Sequence, residues 1–142
     1  MKNIFLLLIF TLPTILFSQS DVPDKYWLDD SNYEKLINGK EAFGDDEVTI
    51  KVVEYWAKFN EENCYSGWED LIEKYDIEYY RVDISKAPQA KKKYRVRMAP
   101  TMFIIADGTI LTKFKAGLDL KFPVSSQEVE ESIQEAKNSN RY

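Results

Sequence analysis

The 142-residue chain is 44% hydrophobic and 30% charged, with a formal net charge of −5, one cysteine and no histidine. The missing histidine excludes Ser-His-Asp and Cys-His nucleophile pairs and any His-based metal site, and the single cysteine excludes an intramolecular disulfide, a cysteine zinc cluster and a CxxC pair. An acidic chain is a poor general binder of nucleic acid, whose phosphates need clustered Lys and Arg, and this length fits one domain with a real core.

Residues 1–20 read as a secretory signal peptide. Lys2 gives a short basic start, Ile4 to Phe17 is apolar apart from Thr11, Pro13 and Thr14, and Ser18-Gln19-Ser20 offers cleavage after Ser18 or Ser20. Spanning a membrane needs about 20 apolar residues, and Pro13 interrupts this shorter run, so no stable membrane anchor is expected after cleavage. The mature chain is then expected in an exported, oxidising space, periplasmic or extracellular, where a lone thiol is unusual. Cleavage removes Lys2 and no acid, leaving 18 basic against 24 acidic side chains and a formal charge of −6.

Tyr26-Trp27-Leu28 reads as a short strand. Ser31 is placed to cap a short helix carrying Tyr33, Leu36 and Ile37, with Glu34 completing a capping box. Gly39, Gly44 and Asp45-Asp46-Glu47 mark a loop. Val48 to Trp56 is rich in β-branched and aromatic residues and loses alternation in its second half, as a strand buried on both faces does. From Asn60 to Tyr75 the period changes: Cys64, Trp68, Leu71, Ile72 and Tyr75 recur at helical steps, with Asn60 as cap and Glu61 and Glu62 in the first turn. Ile77 to Ile84 is the next strand, and Pro88 opens a short helix ending near Tyr94. Strands at Thr101–Ala106 and Thr109–Ala116 flank the hairpin pair Asp107-Gly108. Ser125 and Glu128 form a capping box for a last helix along Val129, Ile133 and Ala136, and residues 138–142 read as a disordered tail.

The expected order is β-α-β-α-β-α-β-β-α in one domain over residues 21–137. Crossover helices imply an α/β fold of three layers, with helices on both faces of a mixed central sheet. No cofactor or metal is expected, since Asp45-Asp46-Glu47 lacks calcium-loop spacing and the five glycines make no phosphate loop. The basic stretch Lys91-Lys92-Lys93 with Arg95 and Arg97 reads as a solvated face.

Several of these segments together carry a family resemblance. Val53-Glu54-Tyr55-Trp56-Ala57-Lys58-Phe59, Arg81-Val82-Asp83-Ile84, Lys93 to Thr101 with Pro100, Asp107-Gly108 and Phe114-Lys115-Ala116-Gly117 follow in order. In these the mature chain resembles thioredoxin, which implies a thioredoxin-like fold. After the family's W-A-x-W comes C-G-P-C; here Asn60-Glu61-Glu62-Asn63 stands in that place, followed by Cys64. The resemblance puts Asn60 where the attacking cysteine belongs. Asn63 takes the second cysteine's position, or Cys64 does if one residue is inserted. An amide cannot attack a disulfide, so dithiol exchange within one chain is excluded. Glu54 falls on the family's buried acid, either as a retained scaffold group or as the partner of Cys64.

By the same resemblance Pro100 is a cis-proline whose flanking backbone pairs with an extended substrate segment. The candidate peptide-binding residues are Met98, Ala99, Pro100 and Thr101, with Trp56 and Phe59 as lining; Trp68 is a further aromatic that fits either a groove or the core. The expected function is an exported, redox-inactive module that binds an extended peptide or protein partner at this edge. Two alternatives stay open. Cys64 could act as a monothiol in thiol-disulfide exchange, or link two copies in a covalent homodimer, whereas an inert Cys64 would simply pack among apolar neighbours.

Overall fold

The computed structural model describes residues 22–38 and 49–139. The signal segment, the loop at Gly39, Gly44 and Asp45-Asp46-Glu47, and the last three residues lie outside them. The elements are β1 (Trp27–Leu28), α1 (Tyr33–Asn38), β2 (Ile50–Trp56), α2 (Trp68–Tyr75), β3 (Glu78–Asp83), α3 (Pro88–Lys93), β4 (Thr101–Ala106), β5 (Thr109–Lys115) and α4 (Ser126–Ser139). Short 3-10 turns occupy Asp24–Tyr26 and Lys58–Asn63.

The strands form one mixed sheet in the order β1-β3-β2-β4-β5. β1 and β2 both run parallel to β3, while β4 is antiparallel to β2 and to β5. Alternation along the central strands feeds two cores. Ile50 and Val52 of β2, Tyr79 of β3, and Met102 and Ile104 of β4 pack with Leu71 of α2 and Val129 and Ile133 of α4. On the opposite face, Val53, Tyr55, Val82, Phe103 and Ile105 pack with Tyr33 and Ile37 of α1 and Ala90 of α3. Every residue of β4 is buried, and β2 has five buried residues out of seven, as strands covered on both faces require.

Local signals hold where the partners are close in sequence. Asp107 and Gly108 adopt φ of 47° and 78°, the left-handed pair that lets a two-residue turn follow the twist of a hairpin. Ser125 N–H donates to Glu128 Oε2 at 2.8 Å and Glu128 N–H returns to Ser125 Oγ at 3.2 Å, so the capping box of α4 is closed. That helix runs farther than expected: Asn138 and Ser139 complete its last turn, and Ser139 Oγ donates to Ala136 O at 3.1 Å.

Three expectations are corrected. Tyr26 belongs to the first 3-10 turn rather than to β1. The capping box at α1 does not form: Ser31 N–H and hydroxyl both turn to Asp29 Oδ1, while Glu34 accepts from Lys93 and Asn38. An Asp two residues upstream outcompetes Glu34 for the serine. The helix expected over 60–75 is broken into the 3-10 turn at Lys58–Asn63, an extended Cys64 and α2. The Tyr65 N–H leaves any helical ladder to donate to Glu54 Oε1 at 2.7 Å. Gly67 lets the Tyr65 ring approach closely, since a Cβ there would lie 2.9 Å from its hydroxyl oxygen.

Candidate functional site

The C-terminal ends of the parallel strands β2 and β3 and the start of β4 converge at one end of the sheet. Ile84 N–H donates to Trp56 O at 3.0 Å, and Thr101 pairs with Tyr55. From this end project the Lys58–Asn63 turn and the Met98–Pro100 segment. The Ala99–Pro100 peptide bond is cis.

Asn60 is buried, and its side chain holds the site together. Its Nδ2 donates to Ala99 O and to Leu120 O, each at 2.8 Å, while its Oδ1 accepts from Asn63 Nδ2 at 2.6 Å. A residue expected to cap a helix instead joins three segments: its own turn, the loop before β4 and the loop after β5. Asn60, where the resemblance places the attacking cysteine, and Asn63, one of the two candidates for the second, are thus a pair of hydrogen-bonded amides.

Of the expected docking residues, Ala99, Pro100 and Thr101 are buried and Met98 is half-buried. Met98 O accepts from Thr101 Oγ1 at 2.7 Å. Trp56 is half-buried and packs edge-on against Trp27 at 5.1 Å. Trp68 is in the core, stacked on Tyr79 at 5.6 Å. Phe59, by contrast, is 76% exposed, and Leu118 in the loop before Leu120 is 97% exposed. Sequence periodicity had no means of marking Leu118, which lies outside any regular element.

Glu54 is fully buried on the same face of β2 as Ile50 and Val52. Its Oε1 accepts from Tyr65 N–H, and its Oε2 from the Tyr79 hydroxyl at 2.9 Å and from Arg81 Nη2 at 3.4 Å. Arg81, only 3% exposed, also donates to Tyr65 O at 2.9 Å and through Nε to the Tyr79 hydroxyl at 3.0 Å. Burial pushes the Glu54 carboxyl above its usual value, against the pull of Arg81. For Arg81 burial acts downward, but Tyr79 and Glu54 more than offset it, and the guanidinium sits above its usual value. Arg81 is the residue the sequence did not single out. Its signal was a charge alternating with apolar residues in a strand, and its register partner across β2 and β3 is Glu54.

Cys64 is half-buried and lines a cavity of about 210 Å³ with Trp27, Trp56, Glu61 and Arg81. Its Sγ lies 3.5 Å from Asn60 O. Burial, reinforced by the Glu54 charge, pushes the thiol up to about 12. A thiol so protonated is a poor nucleophile near neutrality. In the folded protein, disulfide-reagent labelling at pH 8 should be about a hundredfold slower than in urea. This allows for the greater intrinsic reactivity of a more basic thiolate. Equal rates in the two states would refute the elevated pKa. Among the described residues no cluster of Cys, Asp and Glu is arranged to hold a metal ion, and no helix is long and apolar enough to cross a membrane.

No protein-family model matches the sequence, and no curated protein is significantly similar to it. Solved structures are similar in fold. The reduced thioredoxin pre-protein of Schistosoma mansoni superposes with a TM-score of 0.59 at 22% identity, covering 77% of this chain and 94% of that one. The fold is thioredoxin-like. A mutant thioredoxin from Halobacterium salinarum gives a TM-score of 0.61 at 14% identity, covering 78% and 88% of the two chains. Plasmodium falciparum thioredoxin gives 0.58 at 12%, covering 77% and 96%. The thioredoxin-like domain therefore has the expected α/β architecture with its mixed sheet, and the Asn60–Asn63 amide pair lies at the end of that sheet.

Proposed function

We propose that this thioredoxin-like domain is an exported, redox-inactive module that binds an extended peptide or protein segment beside Pro100. The observation that carries the reading is the Asn60 clamp. The group in the nucleophile's place is engaged with Ala99 O and Leu120 O, while the segments it joins present Phe59 and Leu118 to solvent. Singly exposed apolar residues are ordinary, but here two of them lie on segments tied together by the Asn60–Leu120 hydrogen bond, as in an uncovered apolar patch. The elevated Cys64 thiol argues against monothiol exchange. Export rests on the first twenty residues alone.

The clamp also shapes how a partner is held. Ala99 O already accepts one hydrogen bond, and Ala99, Pro100 and Thr101 lie below the surface. The partner is therefore gripped mainly by side-chain contact with Phe59, Leu118 and the half-buried Met98, rather than by full strand addition. Titration with a decapeptide of alternating valine and threonine, followed by amide chemical shifts, should move the signals of Phe59, Met98 and Leu118. Phe59→Ser with Leu118→Ser should weaken binding by at least about tenfold, the low end for burying one such side chain. A peptide that binds without moving those signals, or equally well to the double variant, would remove this reading.

A further inference from the structure

A second surface continues from the same end of the sheet. Ile84, Pro88 and Val96 line a cleft of about 620 Å³ together with Lys91, Lys92, Arg95 and Arg97. Arg97 immediately precedes Met98, so the cleft is continuous along the chain with the edge beside Pro100. Lys93 of the same basic run is tied to Glu34 at 2.6 Å. Among the described residues, none of the four cleft cations forms an ion pair. The carboxylate of Asp30 is occupied elsewhere, since it accepts from the N–H groups of Gln89 and Ala90 at the other end of α3.

Four cations gathered around apolar residues in a concave site stand out in a chain whose formal charge is −5. The lysines in the last turn of α3 gain something from the helix dipole. That does not account for Arg95 and Arg97, which lie beyond the helix and converge on the same cleft. The apolar lining suits the stems and backbone of a peptide, and the cations suit carboxylates along it. The acidic remainder of the molecule repels a long polyanion, so a short, locally acidic stretch fits this surface better than nucleic acid does.

We propose that the Lys91–Arg97 cleft binds an acidic flank of the same extended partner, a peptide segment bearing several Asp or Glu residues next to the apolar stretch held beside Phe59. The assignment rests on the docking reading above and gives it a chemical class of partner.

The test uses two labelled peptides, each with four leading residues followed by alternating valine and threonine; in one the four are glutamate, in the other glutamine. The glutamate peptide should bind about tenfold more tightly at low salt, the sum expected of several exposed ion pairs, and the difference should shrink as salt screens it. Lys91→Gln with Lys92→Gln, Arg95→Gln and Arg97→Gln should abolish the difference and leave glutamine-peptide binding unchanged. Equal affinity of the two peptides for the unaltered protein would overturn the cleft assignment while leaving the docking edge standing. Binding of the glutamate peptide that moves signals at residues 91–97 but none at Phe59 or Met98 would keep the cleft and overturn the docking edge. A ten-residue oligothymidylate that binds more tightly than the glutamate peptide would overturn the choice of a peptide, and no binding of either peptide at about 1 mM, the weak end of useful affinities, would overturn both.

Discussion

Arg81→Met is expected to cost about 3–5 kcal/mol of unfolding free energy, the loss usual when one member of a buried ion pair is removed. The side chain is 3% exposed and answers three groups at once: Glu54 Oε2, the Tyr79 hydroxyl and Tyr65 O. Methionine fills much of the volume and supplies no donor, so a carboxylate and a carbonyl are left short of partners. The pH dependence gives a second signature. Glu54 already lies above its usual value because of burial, and removing the guanidinium takes away the charge that opposes this rise. The folded variant then binds more protons at Glu54 than the unfolded chain over the range between the two pKa values. Its stability must fall as pH rises from the ordinary carboxylate value through the folded one. Urea unfolding of wild type and variant across that range measures both effects. A loss under about 1 kcal/mol, the range of an exposed pair, would mean that Arg81 is not holding the buried acid.

The second large effect is at Asn60. Asn60→Ala removes two donors from Ala99 O and Leu120 O and the acceptor of Asn63 Nδ2. At the usual cost of buried polar groups left unpaired, the expected loss is about 2–4 kcal/mol. Asn60→Asp separates a clamp from simple packing. The aspartate has nearly the same shape but turns one carboxylate oxygen, an acceptor when ionised, toward the two carbonyls that Nδ2 now serves. It should be less stable than Asn60→Ala near neutrality and recover toward acid pH, because its folded pKa would be raised and the stability it contributes is present only while it is protonated. Urea unfolding at pH 7 and near pH 4 reads the difference. An aspartate variant as stable as wild type at pH 7 would show that Asn60 merely fills space.

These two residues show where the sequence stopped being legible. The hairpin at Asp107-Gly108 and the capping box of Ser125 and Glu128 were readable because their partners lie within three residues. The failed box at Ser31 is equally local, but Asp29 competes there and the rule does not weigh competitors. The Cys64–Tyr75 stripe reads as one helix because apolar spacing reports side-chain faces and not the fate of each N–H. Only the fold shows that the Tyr65 N–H is drawn off by Glu54, eleven residues away.

The site divides along the same line. The missing dithiol is plain from one cysteine and from asparagines at positions 60 and 63, and the buried place of Glu54 followed from the resemblance. That Glu54 is matched by Arg81 depended on the parallel register of β2 and β3. Whether Cys64 is reactive depended on burial and on the Glu54 charge beside it. The basic run at 91–97 was visible as composition, yet its division required Glu34 of α1 to reach Lys93 and the segment after α3 to fold beside Ile84 and Pro88.

By itself, then, the sequence determined the element order, the mixed α/β architecture and the absence of a cysteine pair, because periodicity, turn chemistry and residue counts are local or additive. The tertiary structure alone decided that Asn60 became a clamp spanning 39 and 60 residues of chain, that Arg81 balances the buried acid, and that Phe59 and Leu118 stay in water. Those outcomes depend on which distant carbonyl or carboxylate arrives within hydrogen-bond reach. That is set by strand register and loop closure, not by any neighbour in the sequence.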